Sequence, residues 1–135
     1  MRILDLNLQR FGHFEDQPLD LDHPPGGLRF ILGPNEAGKS TLRAALRMAL
    51  FGPTGNITAG RATKDTIFTA RLGVAEAEHT LQRRGKSQPK DSDGQAISED
   101  DLRDWVRVSP ELFDQLFCLG HDELRRHAHA LLQAD

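Results

Sequence analysis

Alternation opens the chain. In RILDLNLQ (2–9), Leu4, Leu6 and Leu8 fall on one side and Ile3, Asp5, Asn7 and Gln9 on the other, the period-2 pattern of a strand with one buried face. QPLDLDH (17–23) repeats it through Leu19 and Leu21, and RFGHFE between the two supplies a turn. HPPGG (23–27) reads as a loop from its Pro and Gly content. LRFIL (28–32) is almost wholly apolar, which predicts a short strand in a sheet covered on both faces.

The period then becomes helical. Leu42, Ala45, Leu46, Ala49 and Leu50 recur at helical spacing, Arg43 and Arg47 lie one turn apart on another face, and Gly52-Pro53 ends the helix. Residues 52–65 (GPTGNITAGRATKD) read as a long loop, a length often given to function. Residues 66–85 predict a β-hairpin with Ile67, Leu72, Val74 and Leu81 inward, and 86–95 (KSQPKDSDGQ) a mobile polar loop. Ser98 and the acids after it predict a capped helix that buries Leu102, Trp105 and Val106. Ser109-Pro110-Glu111 opens another, with Leu112, Phe113, Leu116 and Phe117 as its apolar side. A last helix is expected over 121–135, still running at Asp135.

Composition narrows the class. A chain of 135 residues, 38% hydrophobic and 27% charged, fits one soluble globular domain. A net charge of −3 argues against a stand-alone nucleic-acid-binding module. Cys118 stands alone, which excludes a disulfide framework and suits a reducing cytoplasm. No apolar run is long enough to span a bilayer, and the N-terminus lacks a signal peptide's apolar block, so no membrane partner is expected.

The strongest chemical signal lies between the predicted strand at 28–32 and the helix after it. Gly33, Gly38, Lys39 and Ser40 satisfy G-x-x-x-x-G-K-[ST]. Backbone N–H groups of Ala37 to Thr41 at a helix N-terminus can cradle phosphates, Gly38 allows close approach, Lys39 supplies a point charge and Ser40 a Mg²⁺ ligand. ATP with Mg²⁺ is the expected ligand. A dinucleotide fold is excluded, because no G-x-G-x-x-G is present.

GPNEAGKSTL, preceded by an opening such as MRILDLNLQRFGHFED, resembles the N-terminal lobe of ABC-type heads in SMC-like DNA-repair ATPases of the SbcC, RecF and RecN kind, and in particular their YhaN-like AAA branch. The resemblance implies an α/β P-loop NTPase fold, lobe I of an ABC-type head, with a mixed sheet, an antiparallel hairpin and helices. It implies nucleotide contacts from Gly33, Pro34, Asn35, Glu36, Ala37, Gly38, Lys39, Ser40 and Thr41. Glu36 replaces a common Gly, so its side chain must point away from the phosphates. Arg61 and Lys64 match a segment that closes over the nucleotide; as the bland alternative, both are solvated loop charges. Arg10, Gly12 and His13 fall where the family approaches the base or phosphate, although the usual Arg-Ser pair is missing.

In the same family a Q-loop Gln senses Mg²⁺ and the γ-phosphate. QLFCLGHDEL (115–124) occupies that place with Gly120 or His121, and His121 reads either as a partner of the attacking water or as a helix cap. Asp122 and Glu123 also admit a Walker B reading. Arg83, Arg84 and Lys86, with Lys90, Arg125 and Arg126, read either as contacts to a DNA backbone or as solvated charges. His127 and His129 point in different directions on a helix and make a poor metal site.

Partners follow from the resemblance: a C-terminal lobe supplying Walker B and signature segments, a second head closing on two ATP, DNA, a coiled coil starting in the final helix, and a nuclease subunit. ATP hydrolysis would belong to the completed head, with this chain alone nearly inactive. Two rivals stay open. One is a complete small phosphotransferase using Asp122 or Glu123, and the other a nucleotide-binding interaction module without hydrolysis.

Overall fold

The computed structural model describes residues 1–22, 30–34, 36–53 and 63–117. Its first hairpin is the one the alternation predicts, with a tighter turn and a second strand that starts three residues earlier than expected: β1 (Arg2–Phe11) and β2 (Phe14–Asp20) pair antiparallel from Phe11↔Phe14 out to Asp5↔Asp20. Gly12, at φ 61, makes the turn in a left-handed conformation that costs glycine little. The helix α1 (Lys39–Phe51) follows the glycine loop, and β3 (Ile67–Val74) and β4 (Ala77–Arg84) form the second hairpin. Two short helices, α2 (Glu99–Val106) and α3 (Pro110–Phe117), come last among the described residues.

The four strands make one sheet in the order β2-β1-β3-β4, antiparallel at every junction. This differs from the mixed sheet expected above. The segment expected as a buried strand carries none among its described residues 30–32. Phe30, Ile31 and Leu32 are instead 76%, 48% and 88% exposed.

Directly opposed residues of antiparallel strands share a face, and here one face is apolar. Leu4, Leu6 and Leu8 of β1 point inward as predicted. A register shift between Asn7 and Arg10 then moves the inward set from even to odd numbers, so Phe11 joins the core. On β3 the inward residues are Phe68, Ala70 and Leu72, which places Ile67 on the opposite face from the one expected. Leu81 faces in from β4.

The apolar face and the helices form one cluster, with Leu42, Ala44, Ala45, Met48, Ala49 and Leu50 from α1 and Leu102 and Val106 from α2. Small Ala side chains let α1 be covered on more than one side. That covering explains Arg47, which the helical wheel assigns to a charged face and which is 3% exposed. Its guanidinium meets the Asp114 carboxylate of α3, Nε to Oδ1 at 2.8 Å and Nη2 to Oδ2 at 2.9 Å. A cation at such depth is costly unless it is paired and hydrogen-bonded, as Arg47 is. The outer face of the sheet is polar, and Arg71 there bridges Asp5 and Glu78.

Residues 86–95 are tied down where a mobile loop was expected. Gln82 and Lys90 exchange two backbone hydrogen bonds of 2.7 and 2.9 Å, and Asp91 Oδ1 accepts from the Asp93 and Gln95 N–H groups. The short Asp side chain supplies the acceptor that closes the turn. Cys118, Arg125, Arg126, His127, His129 and the helix expected over 121–135 lie outside the described residues. No helix among the described residues is long and apolar enough to cross a membrane.

Candidate nucleotide-binding site

The three helices begin in different ways. Ser98 and Asp101 form a reciprocal capping box at α2, and Ser109 Oγ accepts the Leu112 N–H at α3. At α1 the N-cap is Gly38, with no side-chain cap and no acid in the first turn. Its first internal bond runs from Leu42 N–H to the Gly38 carbonyl, 2.8 Å. The N–H groups of Lys39, Ser40 and Thr41 therefore have no intrahelical acceptor, at the end where the helix dipole is positive. An anion suits such an end.

Lys39 adds a full charge there. Its Nζ donates to the carbonyls of Gly33 at 2.7 Å and Pro34 at 2.6 Å, which folds the side chain back across the loop. An ammonium has three donors, so one remains for a phosphate oxygen. Ala37 N–H closes the loop on the Pro34 carbonyl at 3.3 Å. A Cβ on Gly33 would stand 3.0 Å from that of Ala37, so the loop is packed against itself.

Glu36 sits at φ 68, in the left-handed region, and its side chain is exposed. A glycine in this position would carry no such strain. Glu36→Gly is expected to raise stability by about 0.5–1 kcal/mol, the left-handed penalty less glycine's extra freedom when unfolded. Thermal unfolding should show a small upward shift in Tm with nucleotide affinity unchanged.

The β1–β2 turn lies against the loop. A Cβ on Gly12 would fall 2.7 Å from Thr41 Cγ2, and one on Gly38 would fall 2.5 Å from Phe14 Cζ and 2.6 Å from His13 Nε2. Gly38, at φ 91, is thus needed for both its conformation and its lack of side chain. His13, whose ring lies 4.4 Å from that of Phe14, is brought to the edge of the phosphate cradle. Sequence reading places Gly12 and His13 near the nucleotide but misses Phe14, whose one signal is its aromatic ring at the start of a strand.

Strand register locates the remaining candidates. Arg10 opposes Ile67 and Ile67 opposes Arg84, so the β1–β2 turn, the start of β3 and the end of β4 share one end of the sheet. Lys64 lies at that end, its backbone packed beside Gly85. Among the described residues, no group of three or more His, Cys, Asp or Glu side chains could hold a metal. For Mg²⁺ bound with a triphosphate, the Ser40 hydroxyl is the loop ligand the sequence leads one to expect, with phosphate oxygens and water as further ligands that suit that ion.

A family model described as an AAA domain (AAA_27) matches residues 1–135. The chain belongs to that family. It is an AAA-type P-loop ATPase domain, with nucleotide binding as its general activity and ATP and Mg²⁺ as the family's usual ligands. No curated protein matches the chain.

Not every expected site residue of this AAA domain comes together. Arg83 opposes Phe68 and faces the core, 3% exposed, whereas Arg84 and Lys86 are exposed. The expected basic cluster of Arg83, Arg84 and Lys86 is divided by the strand's own alternation. Asn35, Arg61, His121, Asp122 and Glu123 lie outside the described residues.

Proposed function

We propose that this AAA domain is the ATP-binding N-terminal half of an ABC-type head in an SMC-like, SbcC-like DNA-repair ATPase of the YhaN-like branch. The observation that carries the reading is the apolar segment directly before the phosphate loop. Phe30, Ile31 and Leu32 expose their side chains and make no backbone hydrogen bond among the described residues. Three such residues, once buried, would contribute roughly 5 kcal/mol. Their free N–H and C=O groups suit addition to a sheet edge. A C-terminal lobe offering that edge would complete the fold beside the loop and bring Walker B and signature segments to it.

In the completed head, the amides of residues 38–41 and Lys39 hold the triphosphate and Ser40 holds Mg²⁺. His13 approaches from the β1–β2 turn, and Lys64 from the start of β3. Two heads close on two ATP in the cytoplasm, hydrolysis reopens them, and coiled coils and a nuclease partner move on DNA. Arg84 and Lys86, exposed at the loop's end of the sheet, are the DNA contacts this reading retains.

The test is co-expression with a C-terminal lobe carrying Walker B and signature segments. ATP turnover is expected to appear on joining, together with slowed amide exchange at Phe30–Leu32. Substantial turnover by the 135-residue chain alone would favour the small phosphotransferase instead. ATP binding without turnover after joining would favour the interaction module.

A further inference from the structure

Away from the phosphate loop, a cleft of about 740 Å³ lies between the C-terminal end of α1, β4 and the α2–α3 corner. Leu50, Phe51, Leu102, Val108 and Pro110 give it an apolar wall, and Arg47, Arg83, Arg103 and Arg107 are among its charged lining residues. Its volume and its mixture of apolar wall with a few polar groups match small-molecule sites.

The charges there are unevenly matched. Arg47 is held by Asp114. Arg103 reaches only Asp100, at 3.4 Å with both side chains in solvent, a pairing of little strength. Arg107 Nε donates to the Asp104 carbonyl at 3.3 Å. Arg83 is the unusual member. It is 3% exposed, yet among the described residues it makes no ion pair, and its hydrogen bond runs from Nη1 to the Ser87 carbonyl at 2.9 Å. Its buried Nε has no hydrogen-bond partner among the described residues.

A cation stripped of water and left with unspent donors is costly. Burial lowers the Arg83 pKa from its ordinary value, and the charge of Glu99 acts in the opposite direction. Glu99 and Glu111 also line the cleft, and among the described residues neither forms an ion pair with Arg83, Arg103 or Arg107. None of the cleft's carboxylates forms an ion pair with Arg83 among the described residues, and a guanidinium fork binds a planar or tetrahedral oxyanion of a ligand through two parallel hydrogen bonds.

We propose that this cleft is a second ligand site of the domain, which binds a small organic oxyanion, a phosphate or carboxylate on an apolar body, through Arg83, Arg103 and Arg107. The anionic group sits against the three guanidinium groups, and the body packs on Phe51, Leu102 and Val108. The site is separate from the phosphate loop: it adjoins the opposite end of α1.

Phenyl phosphate, benzoate and inorganic phosphate are the probes, titrated into the isotope-labelled protein with amide shifts recorded by NMR. Saturable shifts at Leu102, Val108 and Ser109 are expected, with phenyl phosphate or benzoate at least 10-fold tighter than inorganic phosphate because the apolar wall contributes. The tighter of the two organic probes identifies the anionic group. Arg83→Met should weaken that binding at least 10-fold while keeping or raising Tm, because it removes an uncompensated buried charge. Arg107→Ala, at an exposed position, should weaken it several-fold with no change in fold. Shifts confined to residues 38–41, no saturation by any probe, or unchanged affinity in Arg83→Met and Arg107→Ala would overturn the proposal.

Discussion

Lys39→Ala lowers affinity for Mg²⁺-ATP by roughly 100-fold. The ammonium is held over the loop by the carbonyls of Gly33 and Pro34, so binding does not first have to collect it from solution. A hydrogen bond between charged groups contributes about 1.5–3 kcal/mol, and the upper end applies where the donor is already placed. Titration calorimetry with the purified protein checks the figure. The fold should be untouched, because Lys39 is exposed and its methylenes fill no core space. A loss below threefold would mean that the helix amides alone hold the phosphates.

Phe68→Ala costs about 3–5 kcal/mol of stability, a large part of the roughly 5–15 kcal/mol available to a domain. Phe68 has no exposure and meets Phe11 edge to face at 6.0 Å and 71°. Removing it empties the sheet's apolar face at the end where Phe11 leads into Gly12, and Gly12 lies against Thr41. Urea unfolding should show the midpoint shift. Nucleotide affinity should fall as well, by less than in Lys39→Ala, because the turn that braces the loop loses its anchor while every phosphate-binding group stays. An unchanged urea midpoint would show that the core repacks around the missing ring.

Much of the local structure was legible in residue order. Period-2 alternation in residues 2–9 marked β1 and its buried face, because a half-buried strand admits little else. Ser98 with the acids after it marked α2, and Gly52 marked the end of α1 with its N–H on the Met48 carbonyl at 2.9 Å. Parity was less secure. Ile67 and Phe68 are both apolar, and which of them faces in is settled by pairing with β1, not by their own pattern.

What the sequence determined by itself was the glycine loop and the uncapped helix start after it: Gly33, Gly38, Lys39 and Ser40 lie within a few positions of one another, so neighbours along the chain suffice to specify that local geometry. The tertiary structure decided what depends on partners distant in sequence. It set His13 and Phe14 against Gly38, buried Arg47 on Asp114, turned Arg83 away from Arg84, and placed Phe30 to Leu32 outside the sheet of the described residues. Burial and pairing are properties of surfaces that meet across the fold, and a linear pattern carries only one side of each.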